Sequence, residues 1–409
     1  MTTFFNDNVL LIRLDSRIDS NSAAEVEHQI MKAVENYVPT NIVFDAGNLE
    51  YISSVGLRIL IKVKKKVVNT QMINVNNEVY EILSMTGFAD ILDVRKAFRQ
   101  VSVEGCRVLG RGAFGTTYKL DNDQIVKVFN EGVPFDEIVR EKESAKAAFI
   151  CGVPTAIPYD TVKVGARYGN VYELINARSL AEKICGDPYN IDSYAQQVAD
   201  LLKLLAQTHA QPGKMRRFVD ISQEFLDQAD SYLPGERLFT PEERALITRL
   251  LNALPERDTI IHGDFHTHNI FEQDGELILI DMADTSIGHP LFELANMYMA
   301  FIVTAEKADE RARQLVGLDN KQAVYFYNKV FELYFDGFTQ DDIEIIRNLV
   351  VIISRLRMIS MGVVTKVLDQ FPSGVRKKYL YGVRGELRNL YFSSADSIIS
   401  DVERVTVLF

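Results

Sequence analysis

Apolar runs and amphipathic stretches alternate along residues 1–100. Val9 to Leu14 is an apolar run suited to a buried strand, and Asn41 to Asp45 (NIVFD) reads as a second, central one. Between them Val26, Ile30, Ala33, Val34 and Tyr37 follow helical spacing. Ser22 with Glu25 three residues on is a capping-box signature for that helix. A loop holding Tyr51, Ile52, Ser53 and Ser54 leads into a helix over Val55 to Val68. A strand over Met72 to Val75, a helix over Glu78 to Met85, and a last turn and helix opened by Gly87 and Phe88 complete the pattern. Such alternation predicts an α/β layer on a mixed sheet.

The pattern changes after a short crossing, Val101 to Gly105, which has no Pro, Gly or Ser tract. Gly110, Gly112 and Gly115 in VLGRGAFGTTYKL give GxGxxG, which alone discriminates poorly. A P-loop needs Lys after the last glycine, and Thr116 stands there. A dinucleotide fingerprint needs a helix there, but TTYKL reads as a strand, DND as a turn and QIVKVF as another strand. Strand, glycine loop, strand, turn and strand with an internal lysine, Lys127, is the order of a kinase N-lobe. In it the glycines let backbone amides approach ATP phosphates, and Lys127 pairs with the α- and β-phosphates. The next helix carries Glu141 and Glu143. These point in different directions, so only one can hold Lys127. Glu141 is the choice, because REK before an apolar stretch and GVP resembles the phosphotransferase pattern; Glu143 is the alternative. Gly152 and Pro154 end this helix. Tyr168 to Ala177 reads as a strand running into a linker, where Glu173, Leu174 and Ile175 are candidates to meet adenine.

The segment IIHGDFHTHNIFEQDGELILIDMADTSIGHP holds the candidate chemistry. His262, Asp264 and Asn269 form HxDxxxxN, and Asp281 follows the strand-like run Leu277 to Ile280. Phosphoryl transfer needs one carboxylate beside the acceptor hydroxyl, here Asp264. It needs a second carboxylate and a carboxamide oxygen, here Asp281 and Asn269, for Mg²⁺, which prefers hard oxygen ligands. His262 is expected to brace the loop. His266 and His268 form HxH, but no cysteine or carboxylate set completes a metal site, so surface or substrate-side positions are expected. After Pro290 the chain reads helical. Tyr325, Phe326, Phe331, Tyr334 and Phe335 make an aromatic stripe expected in a helix core.

Two resemblances follow. Asp45, YISSVGL (Tyr51 to Leu57) and NVNNEVYEILSMTGF (Asn74 to Phe88) resemble the STAS domain of bacterial anti-sigma-factor antagonists. That family carries a phosphate-accepting serine at the start of its central helix, which implies Ser54, or its neighbour Ser53, as acceptor. A helix N-terminus favours the added charge. Phosphorylated members often have Asp where Ser53 stands, so a plain helix cap is the alternative. HGDxxxxN followed by Asp after an apolar strand resembles the aminoglycoside phosphotransferase and choline kinase-like superfamily, over residues 103–300 with a helical tail to 409. Protein kinases differ by HRD, DFG and APE. Glu293 stands where the superfamily usually has Asp.

The implied layout is multidomain: an α/β STAS domain over 1–100, then a bilobal protein-kinase-like (α+β) phosphotransferase fold with an N-lobe over 103–175 and a mainly helical C-lobe over 176–409. The implied reaction moves the γ-phosphate of ATP, with Mg²⁺, to a hydroxyl of a small-molecule acceptor, and the STAS domain regulates or docks a protein partner. The rivals are a protein serine kinase acting on its own or a partner STAS domain, and a non-catalytic nucleotide-sensing module. A formal net charge of -11 argues against a nucleic-acid partner. Lys62, Lys64, Lys65 and Lys66 are the best candidate for a local basic stripe, expected as a solvated helix face. No run of about 18 apolar residues exists to span a membrane. Cys106, Cys151 and Cys185, far apart and odd in number, point to free thiols in a reducing cytoplasm.

Overall fold

The computed structural model describes residues 1–112, 114–211, 213–307 and 309–409. The chain divides into two compact units, Met1–Ser102 and Val103–Phe409.

The sheet of the first unit has five strands in the order Thr2–Asn6, Val9–Arg13, Asn41–Asp45, Asn69–Val75 and Asp93–Lys96. The first pair is antiparallel and the others are parallel. The first strand was not legible as one, because at the edge it keeps Phe4 and Phe5 exposed and shows no buried alternation. Ile30, Phe44, Leu60 and Val79 share the core between sheet and helices.

Two local expectations change here. The helix Ala23–Tyr37 begins after Ser22, but Ser22 makes no side-chain cap bond. Asp19 displaces the capping box: its carboxylate accepts from the Asn21 N–H at 2.9 Å and the Ser22 N–H at 3.3 Å, and the Ser22 hydroxyl accepts from the Asp19 N–H at 3.0 Å. The central helix, Ser54–Lys66, starts a residue earlier than its apolar period suggests, with Ser53 as N-cap accepting from the Gly56 N–H at 3.4 Å. Lys62 and Lys66 reach across to Glu27 and Glu35 of the neighbouring helix, so this basic face is solvated and partly neutralised.

In the second unit, strands Val108–Arg111, Gly115–Lys119, Gln124–Phe129, Arg167–Glu173 and Pro158–Val164 lie side by side, all antiparallel. Val126 and Val128 are buried on one face of Gln124–Phe129, so period-two alternation turns Lys127 to the other. The helix Phe135–Ile150 buries Ile138, Glu141, Ala145 and Ala148, a single stripe at helical spacing. Gly152, at φ 90°, ends it.

The rest is mainly helical. Ile260–Ile261 pairs with Ser286–Ile287, and Ile270–Gln273 pairs with Glu276–Leu279 through Asp274-Gly275. Both turn residues have positive φ, 55° and 89°, as a tight two-residue hairpin requires. Of the aromatic stripe, Phe326, Phe331 and Phe335 are buried in the core, while Tyr325 is 48% exposed and bonds Asp192. The helix Gln340–Val364 crosses the core with Ile346, Val350, Ile353 and Ile359 buried and carries one buried cation, Arg357. No described helix is long and apolar enough to cross a membrane.

Candidate active site

The glycine loop shows two uses of glycine. A Cβ on Gly115 would sit 2.5 Å from the Val128 carbonyl oxygen, so backbone packing demands glycine there. At Gly110 a Cβ would meet nothing within 4 Å. There the missing side chain leaves room beside a cavity of about 450 Å³, whose wall includes Gly110, Gly112, Gly115, Lys127, Asn269 and Asp281. That volume lies in the range of small-ligand clefts.

Lys127 is the centre of the wall. Its Nζ lies 3.0 Å from Glu141 and 2.8 Å from Asp281. Burial works against the ammonium, but the two carboxylates more than offset it and hold its pKa above the usual lysine range. Glu143 faces away, exposed, beside Lys142. The helical stripe therefore decides between the two glutamates in favour of Glu141. Glu141 is itself fixed from behind. The Tyr172 hydroxyl donates to it at 3.0 Å, and Asn170 donates to the Ile138 carbonyl at 2.8 Å from the same face of the strand. Neither Asn170 nor Tyr172 was singled out from the sequence. Their signal was an amide and a tyrosine hydroxyl two residues apart, on one face of the strand.

The strand after them stops at Glu173, so Leu174 to Ala177 is loop rather than strand. The described cavity wall includes Tyr172 but not Glu173, Leu174 or Ile175. The Glu173 carboxylate instead accepts from the Ile157 N–H at 3.2 Å.

The loop after Ile261 is held by buried polar bonds. The carboxylate of Glu293, buried, takes the backbone N–H groups of His262 and Gly263, which explains an acidic residue at that place. His262 is fully buried; its Nε2 lies 3.0 Å from the Ile280 carbonyl, and its Nδ1 accepts from the Asp264 N–H at 3.2 Å. This pattern requires the proton on Nε2 and ties the Asp264 loop to the strand before Asp281. Gly263 has φ 86°, and a Cβ there would sit 2.5 Å from the Asp284 carbonyl oxygen.

Asn269 donates to the Asp264 carbonyl at 3.0 Å and to its carboxylate at 3.1 Å, bringing the two together. Of the surface and substrate-side positions expected for His266, the surface is excluded and the residue sits beside Asp264. It is buried, with Nε2 3.5 Å from the Asp264 carboxylate. Burial opposes ionisation of Asp264, but the His266 hydrogen bond and the Arg357 guanidinium outweigh it and hold the carboxyl well below its usual range. Arg357 was also missed. Its Nη2 donates to the Gly263 carbonyl at 3.3 Å; its signal was an arginine in helical phase with the apolar Ile346, Val350 and Ile353 of its own helix. His268 lies apart from His266, the rings 6.2 Å between centroids, and lines the cavity.

Asp281 has φ 57°, a left-handed conformation that Asp tolerates better than most residues. That turn sets its carboxylate at the end of the strand beside Lys127 and the cavity. Among the described residues no group of three or more His, Cys, Asp or Glu is arranged to hold a metal ion. Asn269 and Asp281 supply hard oxygen donors on one wall. In the first unit, Ser54 is exposed at the start of its helix, next to the capping Ser53.

A family model described as a phosphotransferase enzyme family matches residues 105–327, and a STAS domain model matches residues 2–102. No curated protein sequence matches the chain. Among solved structures, the chain is similar to a choline/ethanolamine kinase family protein from Mesorhizobium loti, at 14% identity and TM-score 0.48, covering 73% of this chain and 92% of that one. It is also similar to the aminoglycoside phosphotransferase APH(2'')-Ib in an ADP-bound form, at 17% identity and TM-score 0.49, covering 76% of this chain and 98% of that one. The phosphotransferase match takes in more than half of the residues and every side chain of the cavity wall named above. The chain belongs to the phosphotransferase enzyme family and carries a STAS domain ahead of its kinase-like fold.

Proposed function

We propose that the second unit transfers the γ-phosphoryl group of ATP directly to a hydroxyl of a small-molecule acceptor, without a covalent enzyme intermediate. The observation that carries this is the convergence of Lys127, Glu141, Asn269 and Asp281 on the cavity that the glycine loop also lines. In this reading Lys127 holds nucleotide phosphates, and Glu141 holds Lys127. Backbone amides of the Gly110 to Gly115 loop approach the phosphates, with adenine toward the Glu173 to Ile175 segment. Asp264 orients the acceptor hydroxyl and takes its proton, positioned by Asn269 and by the buried His262. Asn269 and Asp281 fit Mg²⁺, because two hard oxygens leave the remaining positions to phosphate oxygens and water, as this ion prefers. When bound, Mg²⁺ neutralises charge on the phosphates. The STAS domain regulates the enzyme or docks a protein partner. The free thiols of Cys106, Cys151 and Cys185 fit a reducing compartment such as the cytoplasm.

The test is ATP consumption by the full chain across sugars, amino alcohols, hydroxy acids and aminoglycosides. Asp264→Asn is expected to lower turnover by about 10²–10⁴ with nucleotide affinity retained. Wild-type turnover in that variant removes Asp264 from the role. The exposed position of Ser54 favours one second reading, a protein serine kinase acting on its own or a partner STAS domain. Incubation with labelled ATP and no added acceptor separates the two, because only the second reading places label on Ser54.

A further inference from the structure

A second cavity, of about 320 Å³, shares two walls with the first. Along the helix Phe135–Ile150, Glu141 faces the first cavity and Arg140 the second. Along the turn after the strand, Asp281 and Met282 line the first, and Asp284 and Thr285 line the second. The charge of this second cavity is unlike that of the whole chain. Arg140, Lys214, Arg216 and Arg357 all line it, against the single carboxylate of Asp284, in a protein of formal net charge -11.

These cations are poorly matched by the protein's own anions. Lys214 has no ion pair among the described residues. Arg140 has only Glu137, exposed and 3.9 Å away. Arg216 is the one well-paired member, 2.5 Å from Glu224. Arg357 is 6% exposed, 3.9 Å from Asp284, and its Nε is buried with no hydrogen-bond partner. The Thr285 hydroxyl, on a residue 5% exposed, is likewise buried without a partner. A buried guanidinium N–H and a buried hydroxyl left unpaired each cost free energy that a ligand with acceptor oxygens would recover. Planar guanidinium groups match carboxylate and phosphate oxygens.

We propose that this cavity binds the anionic group of the acceptor, a phosphate or carboxylate, so that the substrate class is an acidic hydroxyl compound. The proposal rests on the phosphotransferase reading above. Arg357 links the cavity to the chemistry: it donates to the carbonyl of Gly263, the residue directly before Asp264. An acceptor anchored by its acidic group between Arg357, Lys214 and Arg216 lies next to the loop that carries the base. A polycationic acceptor would be repelled from the same place.

The test has two arms. Equilibrium dialysis of the full chain against labelled inorganic phosphate in saturating ADP fills the diphosphate positions, and the double variant below separates this cavity from the γ-phosphate position that ADP leaves open. Phosphate is expected to bind beside ADP, and the double variant Lys214→Ala/Arg216→Ala is expected to weaken it about tenfold or more while binding ADP as before. These two side chains are used because Arg357 also braces Gly263, so its loss endangers the fold. Loss of phosphate binding in ADP, or unchanged binding in the double variant, overturns the anion site. In the second arm, ATP consumption is compared for glycerol 3-phosphate, glycerol and ethanolamine, and for glyceric acid. Preference for the acidic members, with their KM raised in the double variant, supports the acceptor assignment. Preference for the neutral or cationic members overturns it. Phosphate binding without turnover of any acceptor in either panel counts against the phosphotransferase reading and leaves the anion site standing.

Discussion

Replacing Glu141 with Gln tests whether the Lys127 cluster is organised as its geometry implies. Lys127 Nζ lies 3.0 Å from the Glu141 carboxylate, with side-chain exposures of 15% and 7%. At an effective dielectric constant near 20, unit charges at that distance attract by about 5 kcal/mol before desolvation is counted. Much of that is offset by the cost of burying the carboxylate. Gln still accepts from the Tyr172 hydroxyl, and Lys127 keeps Asp281 at 2.8 Å. The net loss is therefore expected at roughly 1–3 kcal/mol, below the usual cost of stranding a buried charge outright. The second effect is on ligand binding. With one carboxylate gone, Asp281 holds Lys127 more tightly and a nucleotide phosphate must compete with it, so ADP affinity should fall about tenfold, or about 1.4 kcal/mol. Urea unfolding followed by near-ultraviolet tyrosine circular dichroism suits a chain without tryptophan, and calorimetry gives the affinity. Glu143→Gln is the internal control: exposed and beside Lys142, it should change stability by no more than about 0.5 kcal/mol. If the two variants match in both assays, the Lys127–Glu141 pair does not organise the site.

Asp281→Ala should abolish the Mg²⁺ dependence of nucleotide binding; the same dependence in variant and parent, measured by calorimetry, would remove Asp281 from the metal assignment. Gly263→Ala must place a Cβ at φ 86° and 2.5 Å from the Asp284 carbonyl; a loss of about 1–3 kcal/mol in urea unfolding, with turnover reduced, is expected. For Glu243, burial opposes ionisation but the Thr240 cap bond, Arg388 and Arg384 outweigh it and lower its pKa below the ordinary 4.5. A lowered carboxylate stabilises the fold above its unfolded pKa, and that contribution is lost as pH falls through the folded value. Thermal stability measured from pH 6 downward should therefore drop below about pH 4.5, and Glu243→Gln should flatten that drop; an unchanged slope in the variant would refute the linkage.

Much of the site was legible because chemistry constrains spacing. HxDxxxxN followed by Asp after Leu277 to Ile280 names Asp264, Asn269 and Asp281 in the sequence alone. Alternation in QIVKVF already places Lys127 opposite Val126 and Val128. Even the choice of Glu141 over Glu143 was latent, since Ile138, Ala145 and Ala148 are in helical phase with position 141 and not 143. Local signals failed where a tertiary partner competes. The Ser22 and Glu25 pattern promised a capping box, but Asp19 takes the Ser22 N–H and its own N–H engages the Ser22 hydroxyl. The Thr2–Asn6 strand has no buried face to write a period into the sequence. Tyr172 and Arg357 had no motif, because their roles depend on residues far along the chain: Glu141 for Tyr172, Gly263 for Arg357. The sequence determined which groups could do phosphoryl transfer and in what order they occur. Only the packing of the helix Gln340–Val364 against the Asp264 loop decided that a buried arginine, and a cavity lined with basic side chains, would stand beside them. Long-range packing is not written in periodicity, because a residue's helical phase fixes the face it occupies but not what that face meets.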